Sequence, residues 1–285
     1  MKRYPFANYI LDIPDDHKIA DIHAVDHLYD RAFGEFYRAI AKRSPRGTFL
    51  DIGANVGDTA AAILSVCSDN PVLCVEGSPE FVPYLQANLR HLGPRVSLIN
   101  RYVRPPMVAD IAVRTVHDRG SAHLMSCEAP GASLDNSAFV TLDDVLKQAH
   151  ALGSEIALVK TDTDGFDGYI VSALVDDSDC PLFFECDLHM GLPEVESPWP
   201  NVFERLDAAG YAIVIFDNHG LPVLTAQEGV AQVLTDLCGY VCLQRAVQPV
   251  RMHYIDVWAF PPSWHDTFIE LRDGLRREFL RPYRF

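Results

Sequence analysis

Residues 48–58 read Thr48-Phe49-Leu50-Asp51-Ile52-Gly53-Ala54-Asn55-Val56-Gly57-Asp58, and this stretch decides the fold. Its apolar half is a short buried strand, and the segment from Asp58 to Val66 has the composition of a helix. The glycines between them let backbone approach a ligand at the strand-to-helix turn. A dinucleotide loop would read G-x-G-x-x-G. Counted from Gly53, the second and third glycines are replaced by Asn55 and Asp58. Acids on both sides of the turn also oppose a diphosphate, whereas they suit a cationic ligand.

The same alternation continues outward. A second strand, Val72 to Glu76, stops at Gly77-Ser78-Pro79, where Ser78 can cap and Pro79 can open a helix to about Leu92. Further strands are expected at Val96 to Asn100, Ile156 to Asp162 and Leu182 to Cys186, with short ones near Ala109 to Val116 and Ala138 to Leu142. Helices are expected from Thr141 to about Ala151, Gly168 to Leu174 and Asn201 to Ala209, the last stopped by Gly210. Tyr211 to Phe216, Pro222 to Leu224 and Asp256 to Phe260 close the sheet, and an Arg-rich helix runs from Trp264 to near Leu280. Strand alternating with helix predicts an α/β fold, a doubly wound and mostly parallel Rossmann-like sheet with helices on both faces. At the other end, Ala24 to Arg43 carries apolar residues at helical spacing.

Charge and cysteine content narrow the partners. The net charge of the 285-residue chain is -15, and residues 51–200 hold 22 acids against 8 bases. Such a surface repels nucleic acid and anionic membrane, and no apolar run is long enough for a membrane span. The seven cysteines are odd in number, form no C-x-x-C pair and follow no secretion signal. They read as reduced thiols of a cytoplasmic protein.

In a sheet of this kind, ligands lie beyond the carboxyl ends of the strands. That edge carries Asp51 to Gly57, Glu76 to Ser78, Asn100 to Tyr102, Asp162 to Gly165 and Glu185 to His189. Glu76, 19 residues after Gly57, is spaced to accept hydrogen bonds from ribose hydroxyls.

Together these residues resemble the S-adenosylmethionine-dependent methyltransferases. Asp51 to Gly57 matches their first motif and Val75-Glu76-Gly77-Ser78-Pro79 is similar to their second. Leu158-Val159-Lys160-Thr161-Asp162-Thr163-Asp164-Gly165-Phe166-Asp167 resembles the K-x-D-x-E-G-x-E signature of the FkbM family, with Asp164 and Asp167 where that family usually has glutamates. Thr141 to Asp144, Phe184 to Asp187 and Leu206 to Tyr211 support the likeness, which spans about residues 45 to 260. Arg101-Tyr102 stands where the family usually has small residues, which leaves the adenine contact open.

The resemblance implies a class I methyltransferase that moves a methyl group from S-adenosylmethionine to a hydroxyl of a sugar, glycoconjugate or secondary metabolite. Asp51, Gly53, Asn55, Gly57, Glu76 and Ser78 would hold the cofactor. Asp162, Lys160 and His189 would handle the acceptor, since an alcohol needs a general base. Magnesium could draw on Asp162, Asp164 and Asp187, although no fixed ligand spacing appears. Residues 1–45 are expected as a helical lid or oligomer contact, 46–262 as the methyltransferase domain and 263–285 as the C-terminal helix. Two rivals stay open: an N-methyltransferase acting on an amine or peptide, and a cofactor-binding partner subunit without catalysis.

Overall fold

The computed structural model describes residues 1–25, 32–118, 120–127, 133–245 and 252–279. The chain opens with a hairpin of β1 (Lys2–Phe6) and β2 (Tyr9–Ile13), followed by α1 (Ile19–Val25) and α2 (Phe33–Arg43). The alternating part comprises β3 (Thr48–Ile52), α3 (Asp58–Val66), β4 (Val72–Val75), α4 (Val82–Leu92) and β5 (Val96–Ile99). An excursion adds β6 (Tyr102–Arg104), β7 (Val113–Asp118), β8 (Ser121–Ser126) and β9 (Phe139–Thr141). Then come α5 (Leu142–Leu152), β10 (Ile156–Thr161), α6 (Asp167–Leu174), β11 (Leu182–Cys186), α7 (Trp199–Ala208), β12 (Ala212–Asp217), β13 (Pro222–Ala226), α8 (Val230–Gln244), β14 (Ile255–Phe260) and α9 (His265–Phe279).

The central sheet has eight strands in the order β13-β12-β14-β11-β10-β3-β4-β5. β5, β4, β3, β10 and β11 are parallel, while β14 runs antiparallel to both β11 and β12. The predicted doubly wound, mostly parallel architecture is therefore present, with β14 reversed inside it and β13 reversed at its edge. Two-residue alternation assigns the strands to two cores. Leu50, Ile52, Val159, Phe184, Ile213, Ile215 and Val257 face α5 to α8. Phe49, Leu158, Phe183, Val214, Phe216, Trp258 and Phe260 face α2, α3, α4 and α9. Both faces being covered explains why the strands read as continuous apolar runs.

The N-terminal segment belongs to that second core. Phe33 and Phe36 of α2 pack against Trp258 with ring centroids 5.6 and 4.7 Å away, and Leu11 and Ile13 of β2 are fully buried. The hairpin was not anticipated in a segment expected to be helical. Of the helix expected from Ala24 to Arg43, residues 26–31 lie outside the described residues. The helix after β4 starts at Val82 rather than Pro79, because residues 78–81 form a lead-in turn in which Ser78 O accepts from Phe81 and Val82 N–H. α8 was not anticipated either. The C-terminal helix begins at His265 and is described to Phe279. Among the described residues no helix is long and apolar enough to cross a membrane.

Candidate active site

The five parallel strands bring their carboxyl ends to one edge, and the loops there are drawn together by backbone bonds. Gly53 and Ala54 N–H donate to Val75 O at 2.9 and 3.1 Å, and Asp162 N–H donates to Ile52 O at 3.0 Å. The approach is close at Gly53. Its φ is +84°, and a Cβ there would lie 1.8 Å from Asp162 O.

Glu76 is buried at the end of β4, and both of its carboxyl oxygens are engaged. Ser78 N–H donates to Oε1 at 2.6 Å and Asn55 N–H to Oε2 at 2.8 Å. A carboxylate offers about four lone-pair sites, so each oxygen keeps one for a ligand. Burial nonetheless dominates and pushes the Glu76 carboxyl up to about 7. Asn55, in the left-handed region with φ +50°, links three segments. Besides its bond to Glu76, its Nδ2 donates to Gly120 O at 2.9 Å and its Oδ1 lies 3.1 Å from His17 Nε2.

Asp51 and Lys160 are register partners on β3 and β10. The buried Lys160 ammonium lies 3.1 Å from Asp51 Oδ1 and 3.3 Å from Asp162 Oδ2. Burial alone would depress the Lys160 pKa, but the two carboxylates override it and hold the amine protonated. The next turn is shaped by Asp167, whose carboxyl accepts from Thr161 Oγ1 at 2.7 Å and from Thr163 and Gly165 N–H. Burial, with Asp162 nearby, pushes Asp167 up to about 6. Burial and the neighbouring Asp162 and Asp167 push Asp164 up to about 7.

These loops line a narrow cleft with a cavity volume of about 50 Å³. Gly53, Asn55, Glu76, Gly77, Asp162, Thr163 and Asp164 contribute from the sheet edge, and Arg101, Tyr102, Ala122 and Leu124 close it. The Tyr102 ring rests on Gly77, where a Cβ would meet its Cγ at 2.3 Å, and its hydroxyl is 2.9 Å from Thr115 Oγ1. The β7–β8 hairpin is held over the cleft by that bond, by Asn55 at Gly120, by Lys18 Nζ to Asp118 at 3.2 Å and by His117 to Glu80 at 2.7 Å.

The predicted site residues separate into three groups. Gly53, Asn55, Glu76 and Asp162 line the cleft. Asp51, Ser78 and Lys160 are buried beside the lining residues, where Ser78 holds Glu76 and Lys160 joins Asp51 to Asp162. Gly57 precedes α3 and packs against Leu85 instead. His189 is exposed and lines a neighbouring hollow with Gly165, Tyr169, Met190 and Trp199. Asp187 accepts from His189 N–H at 2.8 Å and pairs with Arg245 at 2.7 Å. Among the described residues no three His, Cys, Asp or Glu side chains converge as metal ligands. The donor set does not fit a magnesium site as arranged.

Of the roof residues, Arg101 and Tyr102 were placed at this edge from sequence, whereas Ala122 and Leu124 were missed. Alternation over Val113 to Val116 marked one strand of the hairpin, but Ser121-Ala122-His123-Leu124-Met125-Ser126 is too weakly apolar to mark the other.

No family model and no curated protein sequence matches the chain. Solved structures with which it shares some architecture include an O-methyltransferase from Bacillus cereus in complex with SAH, at 11% identity over 87% of this chain and 92% of that one, with a TM-score of 0.39. They also include the precorrin-6y C5,15-methyltransferase of Geobacter metallireducens, at 10% identity over 80% and 87% of the two chains, with a TM-score of 0.37. The fibrillarin pre-rRNA processing protein of Methanococcus jannaschii aligns at 9% identity over 76% and 67%, with a TM-score of 0.38. Likenesses this distant leave the function to be read from the residues of the cleft.

Proposed function

We propose that this protein is an S-adenosylmethionine-dependent methyltransferase of the FkbM kind, acting on a hydroxyl of a small molecule such as a sugar, glycoconjugate or secondary metabolite. The observation that carries the reading is the Asn55–Glu76 junction. The first-motif turn donates its backbone to the second-motif carboxylate, and both face one acid-lined cleft.

The residues fit the cofactor in three respects. Glu76 retains lone pairs for a ribose diol. Gly53 and Gly77 let the Asp162 turn and the Tyr102 ring close in around the cleft, where a side chain would clash. Asp51 Oδ2 is buried and has no hydrogen-bond partner among the described residues, so an acceptor is left over next to the lining residue Ile52. Arg101 and Tyr102 take the place of the small residues usual after the third parallel strand and are assigned to the purine end.

When bound, S-adenosylmethionine supplies a methyl group made electrophilic by its sulfonium. The rest falls to the chain. Asp162 lies half-exposed at the cleft, with side-chain exposure of 43%, and is assigned to orient the acceptor hydroxyl and take its proton. Lys160, held as an ammonium, is a positioning residue: it fixes Asp162 and is no base. Positioning of this kind supplies much of the rate in a displacement reaction. His189 is assigned to the acceptor from the adjoining hollow. The N-terminal segment, with His17 on Asn55 and Lys18 on Asp118, is assigned as part of the lid.

The test is methyl transfer from labelled S-adenosylmethionine to a panel of hydroxyl acceptors. Asp162→Asn is expected to lower turnover about 100-fold or more, the usual range for losing a general base, while cofactor affinity changes little. The acids at this edge also suit a cationic acceptor: Glu185 and Asp256 are register partners beside Asp162. Transfer to amines that survives both Asp162→Asn and His189→Ala would replace the hydroxyl reading with N-methylation. Cofactor binding without transfer to any acceptor would favour a non-catalytic subunit.

A further inference from the structure

Cys186 ends β11 and Cys238 lies in the middle of α8. Each is 2% exposed, and their sulfurs are 3.7 Å apart across the interface between strand and helix. Both thiols stand outside the chemistry assigned to the cleft. A disulfide requires an S–S separation of roughly 2.05 Å, so the sulfurs need approach by only about 1.7 Å. The two elements are already tied by a second link, because Arg245, just beyond α8, pairs at 2.7 Å with Asp187, the residue after Cys186. That ion pair fixes α8 beside the end of β11.

We propose that Cys186 and Cys238 are a modification site, a thiol pair that a hydroperoxide converts into an intramolecular disulfide. One sulfur, as thiolate, attacks the peroxide oxygen, giving a sulfenic acid and hydroxide. The other thiol then displaces the sulfenic hydroxyl, forming the S–S bond and releasing water. Overall two thiols and one hydrogen peroxide give one disulfide and two waters; the sulfurs are oxidised and the peroxide oxygens reduced. A small oxidant suits a buried pair. Burial also pushes the Cys186 thiol well up, so closure is slow beside that of an exposed, acidic thiol.

The bond would anchor α8 to the strand that delivers Glu185 and Asp187 to the acceptor side of the sheet edge. It requires nothing of the methyl-transfer reading, and it extends the expectation that all seven cysteines are simply reduced.

The experiment treats the folded full chain with hydrogen peroxide, quenches it, and counts thiols in denaturant. The count should fall from the seven of the sequence to five, with a mass loss of two hydrogens. Peptide mapping should link Cys186 to Cys238, and dithiothreitol should reverse both. Cys242→Ala, which spares the pair, should still form the link, and Cys238→Ala, checked for folding by circular dichroism, should not. The thermal midpoint should rise by several degrees, because the bond closes a long loop. Retention of both thiols in treated folded protein, their conversion to sulfinic acids, or a bond from either one to another cysteine would overturn the proposal.

Discussion

Gly53→Ala is expected to destabilise the protein by about 3 kcal/mol or more and to abolish ligand binding in the cleft. The added methyl would lie 1.8 Å from Asp162 O, so the turns after β3 and β10 must separate. That separation breaks the Asp162–Ile52 backbone bond, and buried backbone groups left unpaired cost about 1–3 kcal/mol each. A positive φ alone costs an alanine only about 1–2 kcal/mol. Gly229 isolates that smaller effect, since its φ is +64° and nothing lies within 4 Å of an added Cβ. Chemical denaturation of Gly53→Ala and Gly229→Ala side by side should show the first losing clearly more. Equal losses would mean that the two turns are free to part.

Lys160→Met carries the second large effect. The ammonium it removes neutralises the fully buried Asp51 and steadies Asp162. Deleting one partner of a buried pair costs about 3–5 kcal/mol, because the remaining charge is left uncompensated. The pH dependence carries the sign. Burial already holds the folded-state pKa of Asp51 above its unfolded value of about 4, and removing Lys160 raises it further. The folded state then holds the extra proton, so the variant loses stability as pH rises from about 4 through that raised pKa. Its deficit against the wild type should thus be greatest near neutrality and shrink in acid, and Asp51→Asn in the same chain should recover most of it. A deficit independent of pH, or one not rescued by Asp51→Asn, would show that packing rather than charge is at stake.

The parts legible in the sequence are those where local pattern and tertiary outcome coincide. β3, β4, β10 and β11 are short apolar runs stopped by loops, and Thr141 caps α5 by accepting from Asp144 N–H at 3.2 Å. Most elements missed have weak or conflicting local signals. In β1, Tyr4 and Phe6 alternate as a strand should, but Pro5 between them argues against one. α8 is apolar enough, with Leu234, Cys238 and Val241 buried, to lack a marked polar face, so its period is faint. The reversal of β14 follows from how the chain returns after α8, which no local pattern encodes. The site divides in the same way. Asp51, Gly53, Asn55, Glu76, Lys160 and Asp162 sit at strand ends and can be read from motif spacing. Ala122, Leu124 and His17 reach the cleft through long-range contacts, and a single sequence gives no hint of them.

If the cleft around Glu76 holds S-adenosylmethionine, calorimetric titration with S-adenosylhomocysteine should show it. Burial holds the Glu76 carboxyl near pH 7, whereas ribose hydroxyls donating to it favour the ionised form. Binding should tighten between about pH 6 and pH 8 and release a proton, visible as a heat that depends on the buffer. Glu76→Ala should weaken binding about 100-fold, as two hydrogen bonds to a charged group would require. Folded wild-type protein that gives no binding heat, or binding that Glu76→Ala leaves intact, would contradict the account.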